Sequence, residues 1–251
     1  MPDAYREYAP PRDLASHVAC TWTRRVTRAG SALVIPDACA DVIVVGEVAH
    51  VAGPADRPER VAMAAGTVIH GLRMRPGAAR DLLRTDLGEL RNEHVELACV
   101  TRALVVDPRQ PRTSLEQWAR AQLAKARSDG AAVHAARLFI GDASVDAAAE
   151  ALGFGARRLH RHITAACGYG PKTLHRILRM QRAIRLAYTQ SLAAAAAGAG
   201  YADQAHMTRE LRALTGLPPS AYLAEAEPGV GRWLVSEMFK TPGALRGTLA
   251  A

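Results

Sequence analysis

Two stretches of this sequence repeat one pattern: GFGARRLHRHITAACGYGP at residues 153–171 and GYADQAHMTRELRALTGLPP at residues 200–219. The Gly-Phe pair that opens the first stretch recurs 47 residues later as Gly-Tyr. Five later positions recur at an offset of 48: Leu159, Arg161, Ile163, Gly168 and Pro171 correspond to Met207, Arg209, Leu211, Gly216 and Pro219. Self-similarity at a fixed period indicates one supersecondary unit used twice.

Each copy is typical of two helices joined by a short turn. Ser144 and Ser191 precede the first helix of each copy, where a hydroxyl accepts a free backbone N–H. A glycine follows the first helix of each copy. A residue without Cβ adopts a tight or left-handed turn at little cost in free energy. The second helices are predicted near residues 156–167 and after the capping residue Asp203. The outer face of both second helices is basic or amide-bearing.

This arrangement is that of the helix-turn-helix, whose second helix enters the DNA major groove. A single match would leave an ordinary helical hairpin equally acceptable. Two copies with an arginine at the same register, Arg161 and Arg209, favour DNA binding. A connecting helix from Pro171 to about Tyr188 would span about 26 Å. Part of a helix diameter at each end brings this near the roughly 34 Å between successive major grooves, and a modest DNA bend would close the rest.

Residues 144–222 resemble the tandem helix-turn-helix domain of the AraC/XylS family of bacterial transcriptional regulators. The resemblance lies in the repeated positions above, together with Gln204, Thr208 and Pro218-Pro219. It implies DNA contacts by two sets of side chains, one in each unit: Arg157, His160 and Arg161, and Gln204, His206, Thr208 and Arg209. It also implies double-stranded DNA and RNA polymerase as partners. One departure is the almost pure alanine helix at 193–197, which predicts thin packing beside the second reading helix.

Charge is distributed unevenly along the 251 residues, whose formal net charge is +8. Residues 131–224 carry 11 basic and 5 acidic residues, whereas residues 1–130 carry 18 and 16. Positive charge therefore concentrates where the repeat lies, as expected for a polyanion partner. The prevalence of Arg over Lys suits bidentate recognition, although a GC-rich genome explains most of that bias.

The first half of the chain predicts a different kind of domain. β-Branched runs near residues 32–35, 41–45, 48–51 and 67–74 are bounded by Gly, Pro and Asp and predict a small antiparallel sheet. A short helix is predicted over residues 76–85. The expected fold class is α+β: a mixed α/β N-terminal domain with an antiparallel sheet, followed by an all-α tandem helix-turn-helix domain.

Domain boundaries are predicted where the composition of the sequence changes. Ser114 with Gln117 predicts a capping box that starts a helix running to about Arg127. The break at 128–130 then separates a sensory or dimerisation domain (1–128) from the DNA-binding domain (129–224). Residues 225–251 form a C-terminal tail with no predicted function.

Enzymatic function is poorly supported. The sequence contains no G-x-S-x-G, P-loop or H-E-x-x-H motif, and the four cysteines match no zinc-binding spacing. We expect no catalytic residue, metal or cofactor. The absence of a long apolar run and of a signal-like N-terminus predicts a cytoplasmic protein without a membrane partner. Two alternatives stay open: a repair enzyme that transfers an alkyl group to Cys20 or Cys39, and an architectural DNA-binding protein without an effector.

A domain that does not read DNA but is joined to one that does must regulate, oligomerise or both. For regulation we expect a small-molecule effector in an apolar pocket lined by the strands at 32–51 and 67–74. Asp37, Cys39 and Asp41 are the candidate contacts, since a thiol between two carboxylates is chemically distinctive. Homodimerisation alone is the competing account. A simpler interpretation of Asp37 and Asp41 is that they are ordinary turn and strand-boundary residues with no ligand.

Overall fold

The computed structural model describes residues 4–101, 104–127 and 130–225. The predicted tail, apart from residue 225, lies outside the described residues. In the described part, no helix is both long and apolar enough to cross a bilayer.

The first half of the chain is built mainly from antiparallel strands. They are β1 (Ala4–Tyr8), β2 (Val18–Arg25), β3 (Gly30–Val34), β4 (Ala40–Val45), β5 (Val48–Ala52), β6 (Glu59–Met63), β7 (Val68–Met74) and β8 (His94–Glu96). Six of them build one sheet in the order β1-β2-β7-β4-β5-β8, and β3 pairs with β6 in a separate ribbon. The four predicted strands are confirmed as β3, β4, β5 and β7. The hairpin between β4 and β5 turns at Gly46, whose φ of +62° suits a residue without Cβ.

Ten helices are described. They are α1 (Ala79–Leu83), α2 (Leu97–Val100), α3 (Pro111–Leu123), α4 (Ala131–Ile140), α5 (Val145–Ala151), α6 (Ala156–Cys167), α7 (Pro171–Ala187), α8 (Leu192–Gly198), α9 (Gln204–Thr215) and α10 (Pro219–Glu225). The first three belong with the sheet, and α4 to α10 form the helical second half. The predicted α+β fold class is confirmed.

One predicted helix start was wrong. Helix α3 begins at Pro111, not at Ser114, because proline fixes φ and gives up no hydrogen bond at the first helical position. Ser114 lies inside the helix, where its hydroxyl donates to the Gln110 carbonyl at 3.2 Å and accepts from the Asp107 N–H. The predicted capping box therefore does not form.

Each half of the protein has its own hydrophobic core. The first packs the sheet against α1 and α3, with Val42, Leu72, Leu82 and Leu115 fully buried. The second packs α4 to α9 around the connecting helix α7, whose buried face includes Leu174 and Ile177.

The two halves also pack directly on each other. Ala38 and Cys39, from the loop before β4, are buried in the core of the helical half. The Leu87 N–H donates a 2.9 Å hydrogen bond to the Ala165 carbonyl on α6, and the Gln181 side chain on α7 donates to the Pro36 carbonyl. The helical half is therefore held by the N-terminal half at both α6 and α7.

Candidate nucleic-acid interface

Two helical hairpins, α5–α6 and α8–α9, are built alike. Ser144 caps α5 by accepting the Ala147 N–H at 3.1 Å, and Ser191 caps α8 by accepting the Ala194 N–H at 3.2 Å. Both second helices contain twelve residues and end at a glycine in the left-handed region, Gly168 and Gly216. The predicted repeat is thus present in the backbone as well as in the sequence.

Helix α6 buries Leu159 and Ile163 and exposes arginines on its opposite side. Arg157 and Arg161 lie on that exposed face, as predicted from the sequence. A guanidinium group can donate two parallel hydrogen bonds to guanine or phosphate.

His160, the third predicted contact on α6, is exposed but lies at a junction. Its Nδ1 is 3.4 Å from the Thr164 hydroxyl, and a Cβ on Gly170 would approach its Nε2 to 2.7 Å. The ring therefore lies against the start of α7, which narrows the directions in which it can contact a ligand.

Helix α9 presents the second predicted set. Gln204 and Arg209 are exposed, whereas His206 and Thr208 are half-buried. The His206 ring packs edge-on against Tyr201 with centroids 5.3 Å apart, and its backbone N–H is capped by the Asp203 carboxylate. The first turn of α9 is thereby fixed by both its cap and an aromatic contact.

Two further exposed arginines, Arg158 and Arg212, lie on these helices but were not among the predicted contacts. The Arg158 guanidinium lies 4.1 Å from the centre of the Phe154 ring, a cation–π contact that holds an exposed charge beside the turn. At the repeat offset of 48, Arg158 corresponds to His206, which packs on the matching aromatic Tyr201. Applying the offset of 48 to every exposed position would have added both arginines to the predicted contacts. Arg212 corresponds to Thr164 in the first copy.

A carboxylate on α9 joins the second hairpin to the connecting helix. Glu210 accepts hydrogen bonds from Arg176 at 3.0 Å and from Arg179 at 2.8 Å, and Arg179 also covers the Tyr201 ring at 4.5 Å. Burial alone would raise the pKa of Glu210. The two arginine hydrogen bonds outweigh it and hold that pKa below its ordinary value. Helix α7 contains the predicted 17 residues and thus fixes the spacing and the orientation of α9.

The predicted effector contacts lie in a buried polar cluster. Asp41 accepts two hydrogen bonds from Arg73, at 3.0 and 2.9 Å, and a third from the Trp22 indole at 3.1 Å. Asp37 accepts the Cys39 N–H at 2.9 Å and lies 3.6 Å from Arg73. The structure therefore brings these residues together, with their polar atoms directed at protein groups.

The thiols named in the alkyl-transfer alternative are buried. Burial raises the pKa of the Cys20 and Cys39 thiols well above the ordinary range. Because the thiolate is the reactive form, both are poor nucleophiles in this structure. The sulfur chemistry of the fold gives that alternative no support.

The comparisons with known proteins agree with this geometry. Residues 148–225 match a helix-turn-helix domain family, and residues 6–96 match a domain of unknown function (DUF6597). No curated protein matches the chain significantly.

Two crystal structures of ToxT from Vibrio cholerae are remotely similar, each with 11% sequence identity. One covers 81% of this chain and 96% of its own, with a TM-score of 0.46. The other covers 83% and 98%, with a TM-score of 0.49. The assignment therefore rests on the family match at 148–225 and on the hairpins that it contains. By that match residues 148–225 form a helix-turn-helix domain of the AraC type, which supports a DNA-binding transcriptional regulator.

Proposed function

We propose that the protein binds a specific DNA sequence with both hairpins, α6 and α9 entering successive major grooves on one face of the duplex. The observation that carries this proposal is the equivalence of Arg161 and Arg209. They are 48 residues apart, exposed, and at the same register of two twelve-residue helices. Bidentate arginine contacts to guanine are the commonest sequence-reading interaction in the major groove.

The spacing of the helices sets a requirement on the DNA. Helix α7 joins the hairpins, and its 17 residues give a length of about 26 Å. Successive major grooves are about 34 Å apart. The width of the two reading helices closes part of the difference, and a modest bend, at a cost of about 1–6 kcal/mol, closes the rest.

In this proposal Arg157, His160 and Arg161 contact one half-site, and Gln204, His206, Thr208 and Arg209 contact the other. The tie between Glu210 and α7 supports it, because a reading helix must be held rigidly to its partner to keep one half-site spacing. RNA polymerase is the further partner that an AraC-type regulator implies.

Footprinting of the full chain on DNA upstream of its own gene tests the proposal. We expect two protected segments whose centres lie about 10–10.5 base pairs apart. Protection that spreads evenly over unrelated duplexes, with no preference for one sequence, would instead indicate an architectural DNA-binding protein.

The signal input belongs, in the same proposal, to the N-terminal domain. An effector changes DNA binding only if it binds two states of the protein with different affinity. The loop at 35–39 is the element suited to transmit that difference, because Cys39 is buried among the helices while Asp41, two residues later, is held by Arg73. Asp37, Cys39 and Asp41 would then either contact the effector directly or transmit its binding to the helical half.

Calorimetry of candidate effectors on the full chain, with and without its DNA site, tests this input. An effector that binds with the same affinity in both cases would contradict regulation. An N-terminal domain that only forms a homodimer would then be the better account, and sedimentation would reveal it.

A further inference from the structure

A cleft with a volume of about 1020 Å³ lies between the two halves of the protein, beside α6. One wall comes from α1 and Gly77, another from the segment after α3, and the third from α4 and α6. The walls are close-packed where they meet, because a Cβ on Gly77 would lie 2.6 Å from the Ala132 backbone. The hydrogen bond from Leu87 to Ala165 fixes the α6 wall against the N-terminal half.

Positive charge dominates the lining of this cleft. Four exposed cations face it, namely Arg80, Arg84, Lys125 and Arg127. Among the described residues that line the cleft, Asp81 carries the one carboxylate, and the His17 ring lies 3.4 Å from it. Among the residues that the structure describes, none of the four cations forms an ion pair. Four like charges around one concave surface repel each other unless an anion lies between them.

The cleft opens on the flank of the reading helix. His162 and Ala166 of α6 line it. His162 directly follows Arg161 and lies one turn, about 6 Å, beyond Arg158 along the helix axis. A helix in the major groove has a phosphate strand on each side, since the groove is about 12 Å wide. The strand on the His162 side therefore runs toward the four cations.

The overall charge of the N-terminal half hides this feature. Residues 1–130 carry a net charge of only +2, which gives no electrostatic reason for contact with DNA. The fold changes that expectation, because it gathers four of those cations in one place and sets them next to α6.

We propose that this cleft holds the phosphate backbone of the DNA strand that flanks α6, so that the N-terminal domain takes part in DNA binding. The inference rests on the proposed insertion of α6 into the major groove. Phosphate contacts fix register and add affinity without reading sequence. The cleft would thus strengthen binding to every duplex and leave the sequence preference to α6 and α9.

The test compares two variants of the full chain with equal loss of charge. Arg80→Gln with Arg84→Gln removes one wall of the cleft, and Arg28→Gln with Arg109→Gln removes two exposed arginines elsewhere in the N-terminal half. Affinity for the footprinted site and for a random duplex is measured by fluorescence anisotropy from 50 to 200 mM salt. All four arginines are exposed, so thermal melting should match the wild type.

We expect the cleft variant to bind both duplexes about tenfold more weakly and to keep its preference between them. The slope of log K against log salt should become shallower by about 2, one unit for each lost phosphate contact. Lys125→Gln with Arg127→Gln, on the other wall, should give the same result.

Equal affinities and salt slopes for the cleft variant and its control would overturn the inference. So would a small-anion site: inorganic pyrophosphate would stabilise the wild type but not the cleft variant, while DNA binding stayed unchanged. If the wild-type chain bound no duplex at all, the proposed function would fall together with the inference. Loss of the inference alone would leave wild-type sequence-specific binding intact.

Discussion

The side chain of Gln181, in the middle of α7, donates a 2.6 Å hydrogen bond to the carbonyl oxygen of Pro36, 145 residues earlier in the chain. Gln181 is 3% exposed, so this bond is formed out of contact with water. It joins the helix that spaces the two hairpins to the loop that carries Cys39. The N-terminal half thereby contacts the DNA-binding half at the element that sets its geometry.

Gln181→Leu should lower the free energy of unfolding by about 1–3 kcal/mol, because it leaves a buried carbonyl without a partner at similar side-chain volume. Chemical denaturation of the full chain measures the change. Gln190→Leu, at an exposed position just beyond α7, is the control and should have little effect. Equal stability of both variants would mean that the bond to Pro36 contributes nothing.

Arg161→Ala should weaken binding to the specific site by about 1–3 kcal/mol and relax base preference in one half-site. Arg209→Ala should do the same in the other half-site, because the two residues are equivalent in the repeat. Affinity measured on a panel of single-base variants of the footprinted site resolves the two effects. Weakening of all sequences to the same extent would make either arginine a phosphate contact instead.

Much of the helical half could be predicted from the sequence because its signals are local. Ser144, Ser191 and Asp203 cap helices with their own side chains, and all three were predicted from the residue type beside an apolar repeat. Helix α7 was predicted from Pro171 for the same reason. A cap or a proline acts within one turn, so the sequence around it is sufficient.

The N-terminal half was harder because its structure depends on distant partners. Strand β2 has Thr21 and Arg24 buried among apolar residues, so the alternation that predicts a strand is obscured. The placement of Cys39 among the C-terminal helices and the gathering of cations beside α6 arise from packing between the halves. No local pattern encodes either feature.

Glu210→Gln should lower the free energy of unfolding by about 1–2 kcal/mol at pH 7, because the arginines of α7 lose a charged acceptor. The pKa of Glu210 is held below its ordinary value in the folded protein. Its stabilising contribution is therefore present above the ordinary glutamate pKa of about 4.3 and is lost as the pH falls through the lower folded value.

Unfolding of the wild type and of Glu210→Gln, measured from pH 7 down to pH 3, should thus converge toward the acid end. Glu150→Gln, which removes an exposed carboxylate on α5, should track the wild type throughout. A gap between wild type and Glu210→Gln that stays constant with pH would show that packing, rather than ionisation, is responsible. The same variant should weaken binding at the half-site of α9 more than at that of α6.

The equivalent glycines at the ends of α6 and α9 provide a matched test of the contact between the halves. Gly168 and Gly216 have φ angles of +79° and +76°, so alanine is strained to the same degree at both, by about 1–2 kcal/mol. Their surroundings differ. A Cβ on Gly168 would lie 2.7 Å from the Pro54 ring and 2.8 Å from the Leu87 carbonyl oxygen, whereas one on Gly216 meets Pro58 at 3.6 Å.

Gly168→Ala should therefore lower the free energy of unfolding by about 1–3 kcal/mol more than Gly216→Ala, since overpacking adds to backbone strain. Chemical denaturation of the two full-length variants measures the difference. If the two variants lose the same free energy of unfolding, the N-terminal half is not closely packed against the end of α6 in solution. A larger loss for Gly168→Ala, with weaker binding to random duplexes, would show that this contact also holds the basic cleft beside the reading helix.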